Sequence, residues 1–231
     1  MIFKNIPKII YQTWFKKELP TPIQSSIDNM MALNTGYKYQ IFDDIDMRNF
    51  IKTNYDKNIL KCFDSLKIGA AKADLWRYLI LYKTGGIYID VDSTIVGKLD
   101  DLIKNEACAV ISRETNYNKF VQWCLVFTPE HPLLKICIDK CIANIQSGSI
   151  MDVTELTGPV VYSDSIREYF NDINIYSKSD LEINSNKLKT GVKIIDYDYK
   201  NYANFIHPNK DLLYQDKLHW RDEQELILNK N

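Results

Sequence analysis

The stretch from Ile68 to Thr94, IGAAKADLWRYLILYKTGGIYIDVDST, contains a helical pattern, a pair of glycines and a short acidic strand. Apolar residues cover nearly the whole circumference of the segment up to Tyr82, which predicts a helix packed on more than one side. Asp74 and Arg77 interrupt this apolar surface three residues apart, so they lie on the same side of the helix. Burying a charge pair in a core or a cleft costs free energy, so we expect this pair to have a functional role.

The two glycines, Gly85 and Gly86, end the predicted helix, and the pattern then changes to the alternation of a strand. Tyr88, Asp90 and Asp92 would share one face of that strand. Two carboxylates on one face repel each other, and a divalent cation such as Mn²⁺ or Mg²⁺ would relieve the repulsion. Because alternate residues of a strand lie about 6–7 Å apart, we expect one carboxylate to bind the metal directly. The other would act through water or a sugar hydroxyl.

Pairs of aspartates separated by one residue are common on loops, but the longer pattern is specific. It reads K-A-D-L-W-R-Y from Lys72 and, after a short spacer, G-G-I-Y-I-D-V-D up to Asp92. This pattern resembles the sugar-nucleotide-binding region of glycosyltransferase family 32. The resemblance implies an α/β fold of the GT-A type found in nucleotide-diphospho-sugar transferases, with a mostly parallel central sheet flanked by helices.

The resemblance also implies roles for individual residues. Asp90, Asp92 and Arg77 would be catalytic, with the metal held by Asp92 and Asp90. Asp74, Arg77, Tyr88 and Asp90 would bind the sugar-nucleotide donor. This assignment fits their chemistry, because a carboxylate accepts hydrogen bonds from sugar hydroxyls and a guanidinium orients a carboxylate through a planar pair of donors.

Residues 7–14, PKIIYQTW, predict a buried first strand that ends at a tryptophan. The same segment resembles the opening strand of the family, in which the tryptophan lies against the nucleotide base. Trp14 is therefore our candidate stacking platform for the base, and Gln12 would bind the donor near the same edge. The alternative is a core tryptophan at the end of a strand.

Thr157, Gly158 and Pro159 precede a predicted helix, with the threonine as N-cap and the proline in the first turn. Free amides at such a start can bind an anion or a hydroxyl. The same triplet borders the donor pocket in the family, so Thr157 and Gly158 are candidate donor-binding residues. Ordinary capping of the helix is the alternative.

Two histidines near the end of the chain are candidates for the metal or phosphate site. His219 precedes Trp220, and this pair resembles the element that closes over the pyrophosphate and metal in the family. We therefore predict His219 as a metal ligand, with His207 as its competitor.

Periodicity elsewhere predicts further strands and helices in a β-α-β-α order, which is typical of an α/β layer. The expected strands lie near residues 37–42, 107–112, 120–127 and 192–197, and the expected helices near residues 20–33, 43–53, 58–66, 131–145 and 160–170. No internal repeat and no linker rich in Gly, Pro and Ser divides the chain, so we interpret residues 1–231 as a single domain.

Composition narrows the class of protein. Apolar residues make up 45% of the 231 residues and charged residues 26%, and the formal net charge is −1, so bulk electrostatic binding of nucleic acid is not expected. No apolar window reaches the roughly 18 residues of a membrane span. Five cysteines without metal-binding spacing favour reduced core thiols and a cytoplasmic location, unless a targeting segment has been removed.

These observations predict a metal-dependent, retaining glycosyltransferase. It would move a sugar from a nucleotide-sugar donor, with a UDP-sugar favoured and GDP-mannose possible, to a glycan or to a protein- or lipid-linked acceptor. One alternative is a metal-dependent nucleotidyltransferase or phosphohydrolase, although the chain lacks a recognisable phosphate-binding loop. The other is a non-catalytic protein that binds sugar or nucleotide on the same fold.

Overall fold

The computed structural model of the chain describes residues 5–103, 106–114, 119–178, 191–197, 205–206 and 219–228. The helices are α1 (Thr21–Leu33), α2 (Asp44–Asn54), α3 (Lys57–Ser65), α4 (Gly69–Thr84), α5 (Leu99–Leu102), α6 (Pro132–Ser147), α7 (Val153–Leu156), α8 (Pro159–Phe170) and α9 (Trp220–Leu228). The strands are β1 (Ile9–Thr13), β2 (Lys38–Phe42), β3 (Gly86–Ile89), β4 (Thr94–Ile95), β5 (Ala109–Glu114), β6 (Lys119–Phe120), β7 (Cys124–Phe127), β8 (Val192–Tyr197) and β9 (Phe205–Ile206). Most predicted elements are present, whereas α7 and α9 had no clear signal in the sequence.

A seven-stranded sheet has the order β2-β1-β3-β7-β5-β6, with β8 also paired to β5. The pairs β1–β2, β1–β3 and β5–β8 are parallel, and the pairs β3–β7, β5–β7 and β5–β6 are antiparallel. The α/β architecture is therefore confirmed, but the sheet is mixed rather than mostly parallel. The difference arises because β7 lies antiparallel between β3 and β5.

Alternation along the central strands sends side chains to two hydrophobic clusters. Ile10 and Ile87 are register partners and join a cluster that also contains residues of α1 and α5. Tyr11 and Tyr88, one residue further along, join the second cluster, which contains residues of α2, α3, α4, α6 and α8. The sheet therefore lies between two layers of helices, as expected for an α/β fold.

Helix α4 is buried around most of its circumference, as its sequence predicts. Every residue from Asp74 to Leu81 is buried, whereas Lys83 is exposed. Asp74 is 5% exposed and Arg77 is 4% exposed, so the charge pair is removed from bulk water. Buried charges are costly unless they are paired, and this pair lies at the cavity described below.

Strand β3 is shorter than predicted, which changes the positions of the two aspartates. Its ladder to β7 ends at Ile89, and the amide of Asp90 makes one further bond to the carbonyl of Trp123 at 2.8 Å. The amide of Ser93 then donates to the carbonyl of Asp90 at 2.9 Å, which closes a turn. The prediction that Asp90 and Asp92 share one strand face is therefore wrong, because both carboxylates lie on this turn.

The segment predicted as one strand over residues 120–127 is divided into β6 and β7. The link of three residues between them contains Gln122 and Trp123, both of which line the cavity described below. The interruption therefore places Gln122 and Trp123 at the cavity, whereas a continuous strand would have paired these residues within the sheet.

Within the described ranges, no helix is both long enough and apolar enough to cross a membrane. All five cysteines are buried thiols rather than halves of disulfides, as the sequence predicts. The single domain over residues 1–231 stays a prediction.

The junction between α4 and β3 depends on glycine. Gly85 has a φ of +67°, and a Cβ atom added there would lie 2.6 Å from Cδ of Pro129 and 2.8 Å from Cδ of Pro7. Gly148, after α6, has a nearly identical φ of +64°, but a Cβ atom added there would meet nothing within 4 Å. Both positions have a positive φ, but ψ is −171° at Gly85 and 6° at Gly148, so Gly85 differs in backbone conformation as well as in the space around it.

We expect Gly85→Ala to destabilise the protein considerably more than Gly148→Ala. The left-handed backbone of Gly148 costs an alanine about 1–2 kcal/mol. At Gly85 the backbone conformation is essentially restricted to glycine and costs about 1–3 kcal/mol, and forced repacking against the two prolines adds about 1–3 kcal/mol. Urea unfolding of both variants measures the two losses. Equal losses at the two positions would contradict both the crowding and the glycine-only backbone conformation at Gly85.

Candidate active site

A cavity of about 470 Å³ opens at the edge of the sheet where β1 and β3 end. Parallel strands place their carboxyl ends together, and ligands of open α/β sheets bind in the crevice outside those ends. The cavity is lined by the end of β1, the starts of α2 and α4, the turn after β3, the link between β6 and β7, the region where α7 and α8 meet, and the start of α9.

Arg77 connects the polar groups at this cavity. Its Nη2 lies 3.2 Å from Oδ1 of Asp74 and 2.9 Å from Oδ1 of Asp90, and its Nη1 donates to the carbonyl of Gln122 at 3.0 Å. Burial alone would lower the pKa of the guanidinium, but the carboxylates around it raise the pKa above its ordinary value. Arg77 therefore remains charged and fixes α4, the turn after β3 and the β6–β7 link relative to one another.

Tyr88 provides a second support for Asp90. Its hydroxyl donates to Oδ1 of Asp90 at 2.7 Å, and its ring centroid lies 4.5 Å from Cζ of Arg77. Burial raises the pKa of Tyr88 well above its ordinary value, so the hydroxyl stays protonated and remains a donor. The carboxylate of Asp90 is therefore held from two sides, although its side chain is 29% exposed.

Thr157 acts on Asp74 rather than as a helix cap. The N-cap of α8 is Gly158, and the hydroxyl of Thr157 instead donates to Oδ2 of Asp74 at 3.1 Å. The prediction of Thr157 as N-cap is therefore wrong, because α8 begins one residue later and the hydroxyl is directed at the buried carboxylate of Asp74. Neither Thr157 nor Gly158 is among the residues that line the cavity.

The carboxyl of Asp74 has a raised pKa. Burial raises its pKa to about 6, Arg77 opposes this shift, Asp90 adds to it, and hydrogen bonds including that from Thr157 lower the pKa. Because the pKa is higher in the folded chain than in the unfolded chain, folding favours the protonated form. This group therefore reduces the stability of the fold as the pH rises from about 4 to about 6.

Gln122 is a site residue that the sequence analysis missed. Its amide nitrogen donates to the hydroxyl of Tyr78 at 2.6 Å and to the carbonyl of Thr157 at 3.1 Å, and its backbone carbonyl receives Arg77. The available signal was its position as an amide within the apolar run FVQWCLVF. A buried amide in such a run needs partners, and here the partners belong to the site.

The structure brings together most of the predicted site residues. Those that line the cavity are Trp14, Asp74, Arg77, Tyr88, Asp90, Asp92 and His219. Gln12 lies behind the cavity wall, where its amide donates to the carbonyl of Asp90 at 3.1 Å and accepts from the hydroxyl of Tyr39 at 2.8 Å. A direct contact between Gln12 and a donor would require it to leave these bonds.

The three predicted metal ligands line the same cavity. Asp92 is 8% exposed and accepts a hydrogen bond from Ser93 at 3.2 Å, and Nδ1 of His219 accepts from the amide of Arg221 at 3.3 Å. In the part of the chain that the structure describes, no group of three or more His, Cys, Asp or Glu side chains is close enough together to hold a metal ion. His207, the competitor of His219, lies outside the described residues.

The lining of the cavity is strongly negative. It contains the carboxylates of Asp44, Asp74, Asp90, Asp92 and Glu223. Two guanidinium groups, those of Arg77 and Arg221, oppose these five carboxylates, which leaves a formal charge of −3. An anion that enters this cavity therefore needs a cation with it.

Aromatic side chains flank the cavity on two sides. Trp14 and Phe15 lie at the end of β1 with ring centroids 5.0 Å apart. At the start of α9, the rings of His219 and Trp220 are 5.5 Å apart, and Cζ of Arg221 lies 5.2 Å from the centroid of the Trp220 ring. Flat, apolar surfaces of this kind suit a nucleotide base or the face of a sugar ring.

We expect Thr157→Val to raise the pKa of Asp74 by up to about one unit, because the variant loses a hydrogen bond to the charged carboxylate. The ¹³C NMR titration of the Asp74 carboxyl, assigned with Asp74→Asn, measures this shift. Thr157→Ser keeps a hydroxyl and should titrate like the wild type. An unchanged pKa in Thr157→Val would contradict the role of this bond.

Comparison with known proteins identifies the family. A family model described as the glycosyltransferase sugar-binding region containing a DXD motif matches residues 20–109. An uncharacterized glycosyltransferase of Acanthamoeba polyphaga mimivirus is 30% identical over 167 residues, which is 71% of this chain and 66% of that protein. Inositol phosphoceramide mannosyltransferase 3 of Schizosaccharomyces pombe is 36% identical over 129 residues, 56% of this chain and 35% of that protein. The initiation-specific alpha-1,6-mannosyltransferase of Candida albicans is 26% identical over 210 residues, 74% of this chain and 54% of that protein.

Solved structures show the same fold. The PaToxG glycosyltransferase superposes with a TM-score of 0.61 at 18% identity, covering 73% of this chain and 72% of that chain. The UDP-bound glycosyltransferase domain of the YGT toxin superposes with a TM-score of 0.56 at 9% identity, covering 94% of this chain and 83% of that chain. These likenesses confirm the GT-A fold.

The chain spans between about a third and two thirds of the length of the curated relatives given above. Within that span, the family match includes the whole of α4 and the turn that carries Asp90 and Asp92. The chain therefore belongs to the family of DXD-containing glycosyltransferases, glycosyltransferase family 32.

Proposed function

We propose that this chain transfers a sugar from a nucleotide-diphosphate donor to a hydroxyl acceptor, with the help of a divalent cation. The observation that carries this proposal is the pairing of Asp74 and Asp90 by the buried Arg77 beside the cavity. Family membership supports it, because this arrangement lies within the matched sugar-binding region.

The charge of the cavity supports the need for a cation. A nucleotide diphosphate is an anion, and the described lining already has a formal charge of −3. The guanidinium of Arg77 is engaged by two carboxylates, so it is not available to neutralise a diphosphate as well. Carboxylates and phosphate oxygens together suit Mn²⁺ or Mg²⁺, which often bind through one or two carboxylates plus a substrate phosphate.

Asp92 would hold the cation, with Asp90 next to it and His219 as a further candidate. A cation bound there would neutralise the negative charge that develops on the leaving diphosphate. The described ligand side chains do not form a cluster by themselves, so oxygens of the donor would have to complete the coordination. This requirement fits a cation that enters together with the donor.

The other residues would bind and orient the donor. Trp14 would stack on the base, and Asp74 would accept hydrogen bonds from sugar hydroxyls while Arg77 and Thr157 fix its orientation. Tyr88 and Gln12 would hold Asp90 in place from its side chain and from its backbone.

We further propose that the transfer retains the anomeric configuration by a front-face route, in which an oxygen of the departing phosphate accepts the proton of the incoming hydroxyl. A double displacement would need a carboxylate nucleophile. Asp74 and Asp90 are weakened for this role, because each shares the charge of Arg77 and accepts a second hydrogen bond. A covalent glycosyl adduct trapped on a carboxylate of this chain would contradict the front-face route.

The relatives change our preference among the donors. Several are named mannosyltransferases, which supports mannose as the transferred sugar and GDP as its carrier, whereas the sequence favoured a UDP-sugar. Asp44 provides a physical reason, because it lines the same cavity as Trp14, whose amide donates to the carbonyl of Phe42, two residues before Asp44. Guanine presents two N–H donors on one edge to a carboxylate, but the single N–H of uracil lies between two carbonyl oxygens that repel it.

The acceptor is proposed only by class. The names of the relatives include inositol phosphoceramide and initiation-specific transferases, so a lipid-linked sugar or a glycan is the first acceptor to test. A cytoplasmic location remains a prediction.

Titration calorimetry with GDP and UDP, each with Mn²⁺ and with EDTA, tests the donor site and its metal dependence. We expect metal-dependent binding of one nucleotide by the wild type, and a loss of at least about tenfold in affinity for Asp92→Asn, together with loss of turnover. The matched control is Asp139→Asn, which removes an exposed carboxylate paired with Lys135 on α6. Equal binding with Mn²⁺ and with EDTA would contradict the proposed metal site. Binding of neither nucleotide would favour a non-catalytic protein on this fold.

We expect Asp44→Asn to weaken GDP binding about tenfold or more and to leave UDP binding unchanged or improved, since the amide loses one of its two acceptor oxygens. Asp46→Asn is the matched control, because Asp46 also lies in the first turn of α2 but pairs with Lys17. The ratio of the two dissociation constants, measured by the same calorimetry, reports base selection. An unchanged ratio in Asp44→Asn would show that this carboxylate does not contact the base.

A further inference from the structure

Gln224 connects the last described helix to a second segment of the cavity wall, at the start of α7. Its side-chain oxygen accepts from the backbone amide of Val153 at 2.7 Å, and its side-chain nitrogen lies 3.4 Å from Oδ2 of Asp152. These bonds join α9 to the first turn of α7 across 71 and 72 residues of sequence. Gln224 itself does not line the cavity.

The bond to Val153 satisfies a group that α7 cannot satisfy by itself. The first amides of a helix have no partner within the helix. Asp152 accepts from the amides of Thr154 and Glu155 at 2.7 and 3.3 Å, and Gln224 takes the remaining amide, that of Val153. The residue Val153 is 3% exposed, so loss of this acceptor would leave a buried donor without its partner.

Asp152 is the second anchor of Gln224. Burial alone would raise the pKa of Asp152, but hydrogen bonds from Thr154, Gln224 and Glu155 lower it below its ordinary value. The carboxylate is therefore charged, and the longer bond from Gln224 is directed at a charged acceptor.

Both ends of this connection belong to cavity walls. At one end, His219 and Trp220 at the start of α9 line the cavity. At the other end, Val153 and Thr154 line it, and the segment that follows carries Thr157, which holds Asp74. The side chain of Gln224 therefore fixes how the wall formed by the start of α9 lies relative to the segment that orients Asp74.

We propose that Gln224 is a positioning residue that holds His219 and Trp220 against the cavity, so that the donor meets a wall that is already in place. The proposal rests on the proposed function, because it assigns this wall to donor binding. A wall that is ordered before binding spares the ligand the cost of ordering it. Loss of the connection should therefore weaken donor binding without changing the residues that contact the donor.

The test uses three variants of the whole chain. Gln224→Met keeps the length of the side chain and removes both hydrogen bonds, and Gln224→Glu keeps the acceptor for Val153 but loses the donor for Asp152. Glu225→Met is the control, because Glu225 is the next residue of the same helix and is exposed. Labelling with 5-fluorotryptophan and ¹⁹F NMR, with Trp220→Phe for assignment, reports the position of Trp220 without any ligand.

We expect Gln224→Met to shift or broaden the Trp220 resonance and to raise the dissociation constant of the nucleotide that the wild type binds, GDP or UDP with Mn²⁺, about five- to tenfold. Gln224→Glu brings a second carboxylate beside the charged Asp152, so it should weaken binding at least as much as Gln224→Met, whereas Glu225→Met should match the wild type. In turnover assays, the loss should appear in KM for the donor rather than in kcat, a division that a mere loss of folded protein would not produce.

Two results would overturn the proposal. One is an unchanged Trp220 resonance in Gln224→Met, and the other is a changed resonance with an unchanged dissociation constant. If the wild type binds neither nucleotide, the proposed function fails, and the Trp220 resonance alone then decides whether Gln224 holds the wall in place.

Discussion

The guanidinium of Arg77, 4% exposed and placed between the carboxylates of Asp74 and Asp90, is the constraint on which the rest of the structure depends. A buried charge that loses its partners costs several kcal/mol, so the elements that supply those partners cannot move independently. Helix α4 provides Asp74, the turn after β3 provides Asp90, and the β6–β7 link provides the carbonyl of Gln122. Three parts of the fold are thereby held together at the cavity.

The partners of Arg77 need support of their own, and this need extends the constraint through the fold. Thr157 supports Asp74 from the segment before α8, and Tyr88 and Gln12 support Asp90 from β3 and β1. Gln122 then joins Thr157 to Tyr78, on the buried side of α4. The polar network and the hydrophobic core therefore depend on each other. The core excludes water from the buried charges, and the network gives those charges their hydrogen bonds.

The sequence predicts those features that depend on neighbours along the chain. The apolar circumference of α4 and the spacing of Asp74 and Arg77 predict a buried charge pair, and Gly85 and Gly86 predict the change from helix to strand. Features that depend on distant residues were missed or predicted wrongly. Thr157 meets Asp74 across 83 residues, and no local rule distinguishes this bond from an N-cap. The turn after β3 and the break between β6 and β7 are likewise determined by strand pairing, which local periodicity does not report.

The burial of Arg77 between two carboxylates has a cost in free energy at the site itself. The Nε of Arg77 is buried and has no hydrogen-bond partner among the described residues, which costs about 1–3 kcal/mol for an unmet donor. The same side chain lies over the ring of Tyr88, whose face attracts a cation and offsets part of this cost. Freeing Nε for a partner would turn the guanidinium away from Asp74 or Asp90, and a carboxylate would then be left buried without its counter-charge. The unmet Nε donor costs less free energy than a buried carboxylate without its counter-charge. The observed arrangement is therefore the more stable of the two, and it keeps both carboxylates in place at the cavity.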